Sequence, residues 1–197
     1  IHIINLEETI RCIENADKEI SKITNSGGNI LFVGTKNQVK DVVQEAADAC
    51  GMFYIVERWL GGTLTNFATI KKSIKRLEKL EKESSSLYKN LTKKETIMLE
   101  RERIKLSDLH RGIKDMKYIP SAVFVVDVKL EKIAVDEAKV LGIPVFGIVD
   151  TNTNPNLIDY PIPANDDSIK TVKLILNYFV DSINSQNLSE KDKESVN

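Results

Sequence analysis

Four short runs of this chain are apolar almost throughout, where a strand with one wet face would alternate, and this limits the fold more than any other feature. They are Ile30 to Gly34, Phe53 to Val56, Ala122 to Asp127 and Val145 to Asp150. Such runs need cover on both faces, and helix-length amphipathic segments lie between them. The pattern therefore predicts an α/β fold of the Rossmann or flavodoxin kind, a mostly parallel sheet flanked by helices. Brief further strands are expected at His2 to Ile4 and around Tyr160 to Ile162.

The segments between the strands repeat at the helical period. Leu6, Ile10, Ile13, Ile20 and Ile23 mark the apolar face of a first helix, stopped by Gly27-Gly28. Val39, Val42, Val43, Ala46 and Cys50 mark a second, closed by Gly51, and Leu130, Ile133, Ala134, Ala138 and Leu141 a third, ending at Gly142. A last helix starts from the capping cluster Asn165-Asp166-Asp167-Ser168 and buries Ile169, Val172, Leu176, Phe179 and Ile183. From Asn184 the sequence turns polar, which predicts a disordered tail over 184–197.

Between the second and third runs lie about sixty residues without a strand pattern, although a crossover needs only about a dozen. Phe67, Ile70, Ile74, Leu77 and Leu80 form one narrow apolar stripe there, and Leu99, Leu106, Leu109 and Ile113 another at heptad-like spacing. Ser84-Ser85-Ser86 offers a turn between them. Residues 66–111 are thus expected to form an inserted antiparallel coiled-coil hairpin, and residues 1–65 with 112–183 the α/β domain.

The net charge of −1 conceals an asymmetry. From Phe67 to Tyr118 there are fifteen Lys and Arg against eight Asp and Glu, a local +7, while the remainder carries −8. One region is suited to a polyanion and the other is not, although charged helical faces are often merely solvated. No apolar run approaches the roughly 20 residues needed to span a bilayer. The chain opens at Ile1 without a secretory leader, and Cys12 and Cys50 lack close Cys or His partners, so a cytoplasmic protein is expected.

Enzymatic motifs are weak. Gly34-Thr35-Lys36-Asn37 follows a strand and opens a helix, where amides could cradle phosphate, but the full dinucleotide and P-loop patterns are missing. Asp127 and Asp150 end two strands and could serve as acids, bases or magnesium ligands; helix capping and turn formation are the simpler roles. His2 and His110 sit in no ligand-spaced cluster. An enzyme or nucleotide sensor built on Gly34 to Lys36, Asp127 and Asp150, and a scaffold whose hairpin binds protein, stand as the competing readings. No enzyme activity, cofactor or metal is expected.

Arg58-Trp59-Leu60-Gly61-Gly62-Thr63-Leu64-Thr65-Asn66 is more pointed. An Arg beside the only Trp can pair with phosphate and stack on a base, and the glycines let a backbone approach; equally, Trp59 can plug the core while the glycines make the turn. Lys71, Lys72, Lys75, Arg76 and Lys79 form a basic ridge on the first arm, and Lys93, Lys94, Arg101, Arg103, Lys105 and Arg111 populate the second.

Together these motifs resemble the bacterial-type family of the second protein of the small ribosomal subunit. The likeness runs from Ile1 to Ile183. It rests on His2 to Glu7, Ile30 to Lys36, Arg58 to Asn66, Leu91 to Glu95 and Gly112 to Met116. It continues through Pro120 to Asp127, Glu131, Glu137, Gly142 to Asn152, and Ile162-Pro163 to Asp167. The resemblance implies a non-catalytic ribosomal constituent that binds small-subunit RNA and neighbouring proteins, among them the large mRNA-binding first protein of that subunit. It implies no membrane and no small-molecule substrate. Carried over by position, the RNA-facing group is Lys36, Arg58, Trp59, Lys71, Lys75, Arg76, Lys93, Lys94 and Lys114. A basic, aromatic-rich N-terminal segment of the family has no counterpart in this sequence.

Overall fold

A computed structural model describes residues 2–82 and 91–194, with side chains described up to Gln186. Five parallel strands build one sheet: β1 (Ile30–Val33), β2 (Phe53–Ile55), β3 (Ala122–Val125), β4 (Val145–Val149) and β5 (Tyr160–Pro163), in the order β2-β1-β3-β4-β5. Every residue of β1, β3 and β4 is buried, as runs apolar on both faces require.

The pleat sends alternate residues into two separate cores. Ile30, Phe32, Phe124, Phe146, Ile148 and Ile162 face α1 (Leu6–Asn25), α2 (Lys40–Cys50) and α6 (Ile169–Glu194). Phe32, Phe124 and Phe179 follow one another there with ring centroids 5.6 and 5.3 Å apart. Leu31, Val33, Val123, Val125, Val145 and Val149 face α3 (Phe67–Lys82) and α5 (Lys132–Val140) on the other side. Each such side chain contributes roughly 1.5–3 kcal/mol by leaving water, which makes the sheet the rigid support of everything attached to it.

Departures from the expected pattern have local causes. Residues 2–5 form no strand, and the edge position goes to β5, where Pro161 and Pro163 are tolerated because an edge needs fewer donors. Helix α5 is rotated: Ala134, Val135, Glu137 and Ala138 turn inward, leaving Leu130 and Ile133 54% and 58% exposed. Small Ala134 and Ala138 let the helix lie close to the sheet, and Glu137 is needed inside by the 59–65 loop described below. Leu6 and Ile10 of α1 are likewise exposed, because α1 packs through Thr9, Ala16, Ile20 and Thr24. Helix α6 runs past Asn184 to Glu194, with Gln186 accepting a hydrogen bond from Thr24 at 3.0 Å. Cys12 is half-buried and Cys50 buried; both are free thiols.

Helix α4 (Lys93–His110) begins with a capping box: the Glu95 carboxylate accepts from Thr92 N at 2.9 Å, and Thr92 Oγ1 accepts from Glu95 N at 3.4 Å. It lies against α3, and the pairings run in opposite chain order, Ser73 with His110 and Arg76 with Glu102, so the two helices are antiparallel. The α3 stripe of Phe67, Ile70, Ile74, Leu77 and Leu80 is buried. The α4 stripe is shallower, with Leu99, Leu106 and Leu109 half-buried and Ile97, Met98 and Ile104 exposed. The proposed Ser84-Ser85-Ser86 turn lies outside the described residues. Burial lowers the pKa of His110, so its ring is neutral near pH 7.

After α4 the chain returns to the sheet through Gly112, whose carbonyl accepts from Tyr54 N of β2 at 3.1 Å. A Cβ at this position would lie 2.2 Å from the Tyr54 carbonyl oxygen, a clash with backbone that no rotamer relieves. Gly112→Ala is expected to lower stability by about 2–3 kcal/mol through overpacking. Urea unfolding of both proteins checks this, and a change under about 0.5 kcal/mol would mean that β2 moves aside freely.

Candidate nucleic-acid interface

The loop that joins β2 to α3 is organised by one carboxylate from across the sheet surface. Glu137, 8% exposed, accepts from Trp59 Nε1 at 3.0 Å and Gly62 N at 2.7 Å through Oε1. Its Oε2 accepts from Leu64 N at 2.9 Å and from Thr65 N and Oγ1, both at 3.0 Å. Gly62 supplies the φ of +85° that turns its amide toward this acceptor. Burial pushes the Glu137 pKa up, but the hydrogen bonds from Thr65, Trp59, Gly62 and Leu64 outweigh it and hold the carboxyl below the usual range. Trp59 is accordingly a buried core plug with its N–H committed to Glu137.

The crevice at the carboxyl ends of β1 and β3, where this sheet order changes direction, is filled by the protein's own charges. Thr35 donates its amide to Glu131 at 2.9 Å, and its hydroxyl to the same oxygen. Lys36 lies 3.6 Å from Asp127 and 3.2 Å from Asp166, and also pairs with Asp167. Burial acts to lower the Lys36 pKa, while the bonds to Asp167 and Asp166 raise it well above its ordinary value. The Thr35 amide is thus taken, and four carboxylates surround the position. Lys36 points inward to carboxylates instead of joining an outer basic face. Asp150, Asp166 and Asp167 bring carboxylate oxygens within 4.8 Å of one another. Asp127 caps the turn before α5 through Leu130 N at 2.9 Å, and Asp150 accepts from Thr151 N at its own turn, the structural roles expected of both.

The remaining basic residues fall into separate patches. Lys71, Lys75 and Lys114 come together at the base of α3, around a depression they share with Glu78, Met116, Lys117 and Tyr118. Lys71 lies 5.0 Å from the Phe67 ring centroid and 5.6 Å from that of Tyr118. Lys114 is partly committed, pairing with Glu81. Arg76 is further up α3, in a two-pronged bond to Glu102 at 3.0 Å that ties α3 to α4. Arg58 is exposed elsewhere, near Arg101 and Lys105 of α4. Lys93 and Lys94 are exposed in the first turn of α4, where the helix dipole disfavours cations. Lys117 and Tyr118 were not singled out in the sequence; their signal was an aromatic next to a lysine just before Pro120, outside any strand or helix pattern.

A different surface lies between α1 and α6. His2, Leu6, Ile10, Ile13, Leu174 and Tyr178 line an apolar groove of about 720 Å³ that presents little charge. No described helix is long and apolar enough to cross a membrane.

A family model described as Ribosomal protein S2 matches residues 1–186. The chain is 48% identical over 203 residues to a Fusobacterium nucleatum protein named small ribosomal subunit protein uS2, an alignment covering 100% of this chain and 82% of that protein. It is 50% identical over 184 residues to a Dichelobacter nodosus protein of the same name, covering 93% of this chain and 69% of the relative.

The Glu137 arrangement has a measurable consequence. Glu137→Gln sets an NH2 group against amide donors, and it is expected to cost about 2–4 kcal/mol at neutral pH. A carboxyl whose folded pKa is lowered stabilises fully above its unfolded value, about 4.3, and loses that contribution as pH falls through the folded value. The stability gap between the native chain and the variant should therefore hold from about pH 8 to 5 and narrow below about pH 4. Urea melts across this range check it; a gap that widens in acid would contradict the assignment.

Proposed function

The chain belongs to the ribosomal protein S2 family, and from that premise we propose that it is a structural constituent of the small ribosomal subunit, bound to ribosomal RNA and to neighbouring ribosomal proteins. The observation that carries this reading is the family match over residues 1–186. The role is architectural and non-catalytic, with the ribosome as its location.

The geometry supports the finer parts of the reading unequally. Lys71, Lys75 and Lys114, with Lys117 beside them, gather positive charge at one place on a rigid base, as contact with a phosphate backbone requires. Arg101 and Lys105, with Arg58 beside them, and Lys93 with Lys94 add further cationic points along an inserted hairpin of residues 66–111. Lys36 and Trp59 serve this face only indirectly, by fixing the crevice and the loop. The apolar groove between α1 and α6 suits a protein neighbour, because RNA would find little charge there. The large mRNA-binding first protein of the subunit is among the neighbours this reading includes.

Sedimentation of the full chain with small subunits at low and high salt tests the proposal. The native chain is expected to co-migrate with subunits, less so as salt rises. Lys75→Glu with Lys117→Glu should move it to the top of the gradient with an unchanged urea midpoint. Arg76 is left intact in this test because its reversal would also break the Glu102 pair. Retention of the double variant at unchanged salt dependence would remove this face from the RNA contact.

A further inference from the structure

The depression at the base of α3 is more than a charged patch. Lys117, Tyr118 and Ile119 are displayed between two buried anchors, Met116 and Pro120. Met116 N donates to Ile113 O at 3.1 Å, and Ser121 N donates to Asn29 O at 2.8 Å, so backbone bonds pin the segment on both sides. Ile119, preceding a proline, is confined to extended backbone, which stiffens the displayed stretch. Within it Tyr118 is 80% exposed. A large aromatic held out on a short, anchored segment loses apolar contact that it could have made in either core, and a ligand with a flat face restores it.

The surroundings select the kind of flat ligand. The depression encloses about 330 Å³, within the range of small-ligand sites. Its cations Lys71, Lys75, Lys114 and Lys117 outnumber Glu78, the one carboxylate of the lining. Lys114 is paired with Glu81, whereas no ion pair of Lys75 or Lys117 is found among the described residues. An aromatic platform ringed by lysines matches a planar group joined to phosphates, and every nucleobase has such a face.

We infer that Tyr118 stacks on one unpaired RNA base, while Lys71, Lys75 and Lys117 meet the phosphates on either side of it. This rests on the RNA-bound reading above and specifies the form of RNA taken at this place. Duplex RNA keeps its bases stacked internally and cannot use the ring. The lysines, by contrast, serve single and double strands alike.

The test measures binding of the full chain to a fluorescent twelve-nucleotide single-stranded RNA and to a duplex of the same composition. Tyr118→Ser is expected to weaken single-strand binding about tenfold, the effect of one lost stack, and to leave duplex binding unchanged. Tyr118→Trp should restore the single-strand preference. Equal loss on both RNAs, or no loss on either, would overturn the inference while leaving RNA binding intact. If the native chain bound neither RNA, the RNA-bound reading itself would fall with it. Ultraviolet cross-linking in small subunits, with and without added messenger, identifies the source of the base. A Tyr118 cross-link formed without messenger assigns it to ribosomal RNA, and one formed only with messenger assigns it to the message. A cross-link to protein alone would overturn the stacking assignment.

Discussion

Glu137 links one side of the sheet to the loop that leads into α3. Its two oxygens collect three backbone amides, an indole N–H and a hydroxyl from residues 59–65. Without that acceptor, the loop would bury donors at a cost of about 1–3 kcal/mol each. The loop in turn sets where α3 begins, and hence where Lys71 and Lys75 stand relative to the segment carrying Tyr118. Helix α5 gives up an apolar position on its inner face to supply the carboxylate, while Ile133, and Leu130 just before the helix, are exposed. A buried charge is tolerable here because its hydrogen-bonding capacity is met by donors from a single short segment.

The crevice shows the complementary use of charge. A parallel sheet of this order leaves an opening at the carboxyl ends of its central strands, and many proteins place a ligand there. In this chain Lys36, Glu131, Asp127 and Asp166 fill it with a network of their own. Glu131 and Asp166 are both only 3% exposed, and burial raises the pKa of each, Glu131 even against its two bonds from Thr35. Exposed cations and an exposed aromatic lie instead on the helices and loops around the sheet.

Much of this was legible in the residues, for reasons that can be named. The four central strands were visible because burial on both faces leaves runs such as Ile30 to Val33 without alternation. The helices were visible as periods, but which residues of a period face the core was legible only where the partner is the sheet itself. Leu130 and Ile133 looked like core positions, but α5 turns Ala134, Val135, Glu137 and Ala138 inward instead. Lys36 and Trp59 illustrate the same limit at the candidate interface. Their chemistry suits RNA, yet each is claimed by carboxylates more than seventy positions away in the chain, a pairing that no local pattern announces. Lys117 and Tyr118 were overlooked for the opposite reason, since a short irregular segment has no period from which to stand out.

The close approach of Gly112 to Tyr54 also determines how this protein can meet other chains. An open strand edge is an invitation to pair with any extended segment, including one from another copy of the same protein. On the β2 side, the Tyr54 amide is already donated to Gly112, and on the β5 side Pro161 and Pro163 have no N–H to give. Sheet extension is blocked at both margins by covalent structure and by a bond within the chain. The two sheet edges thus carry their own safeguard against fibrous self-association, and contacts made there are left to side chains.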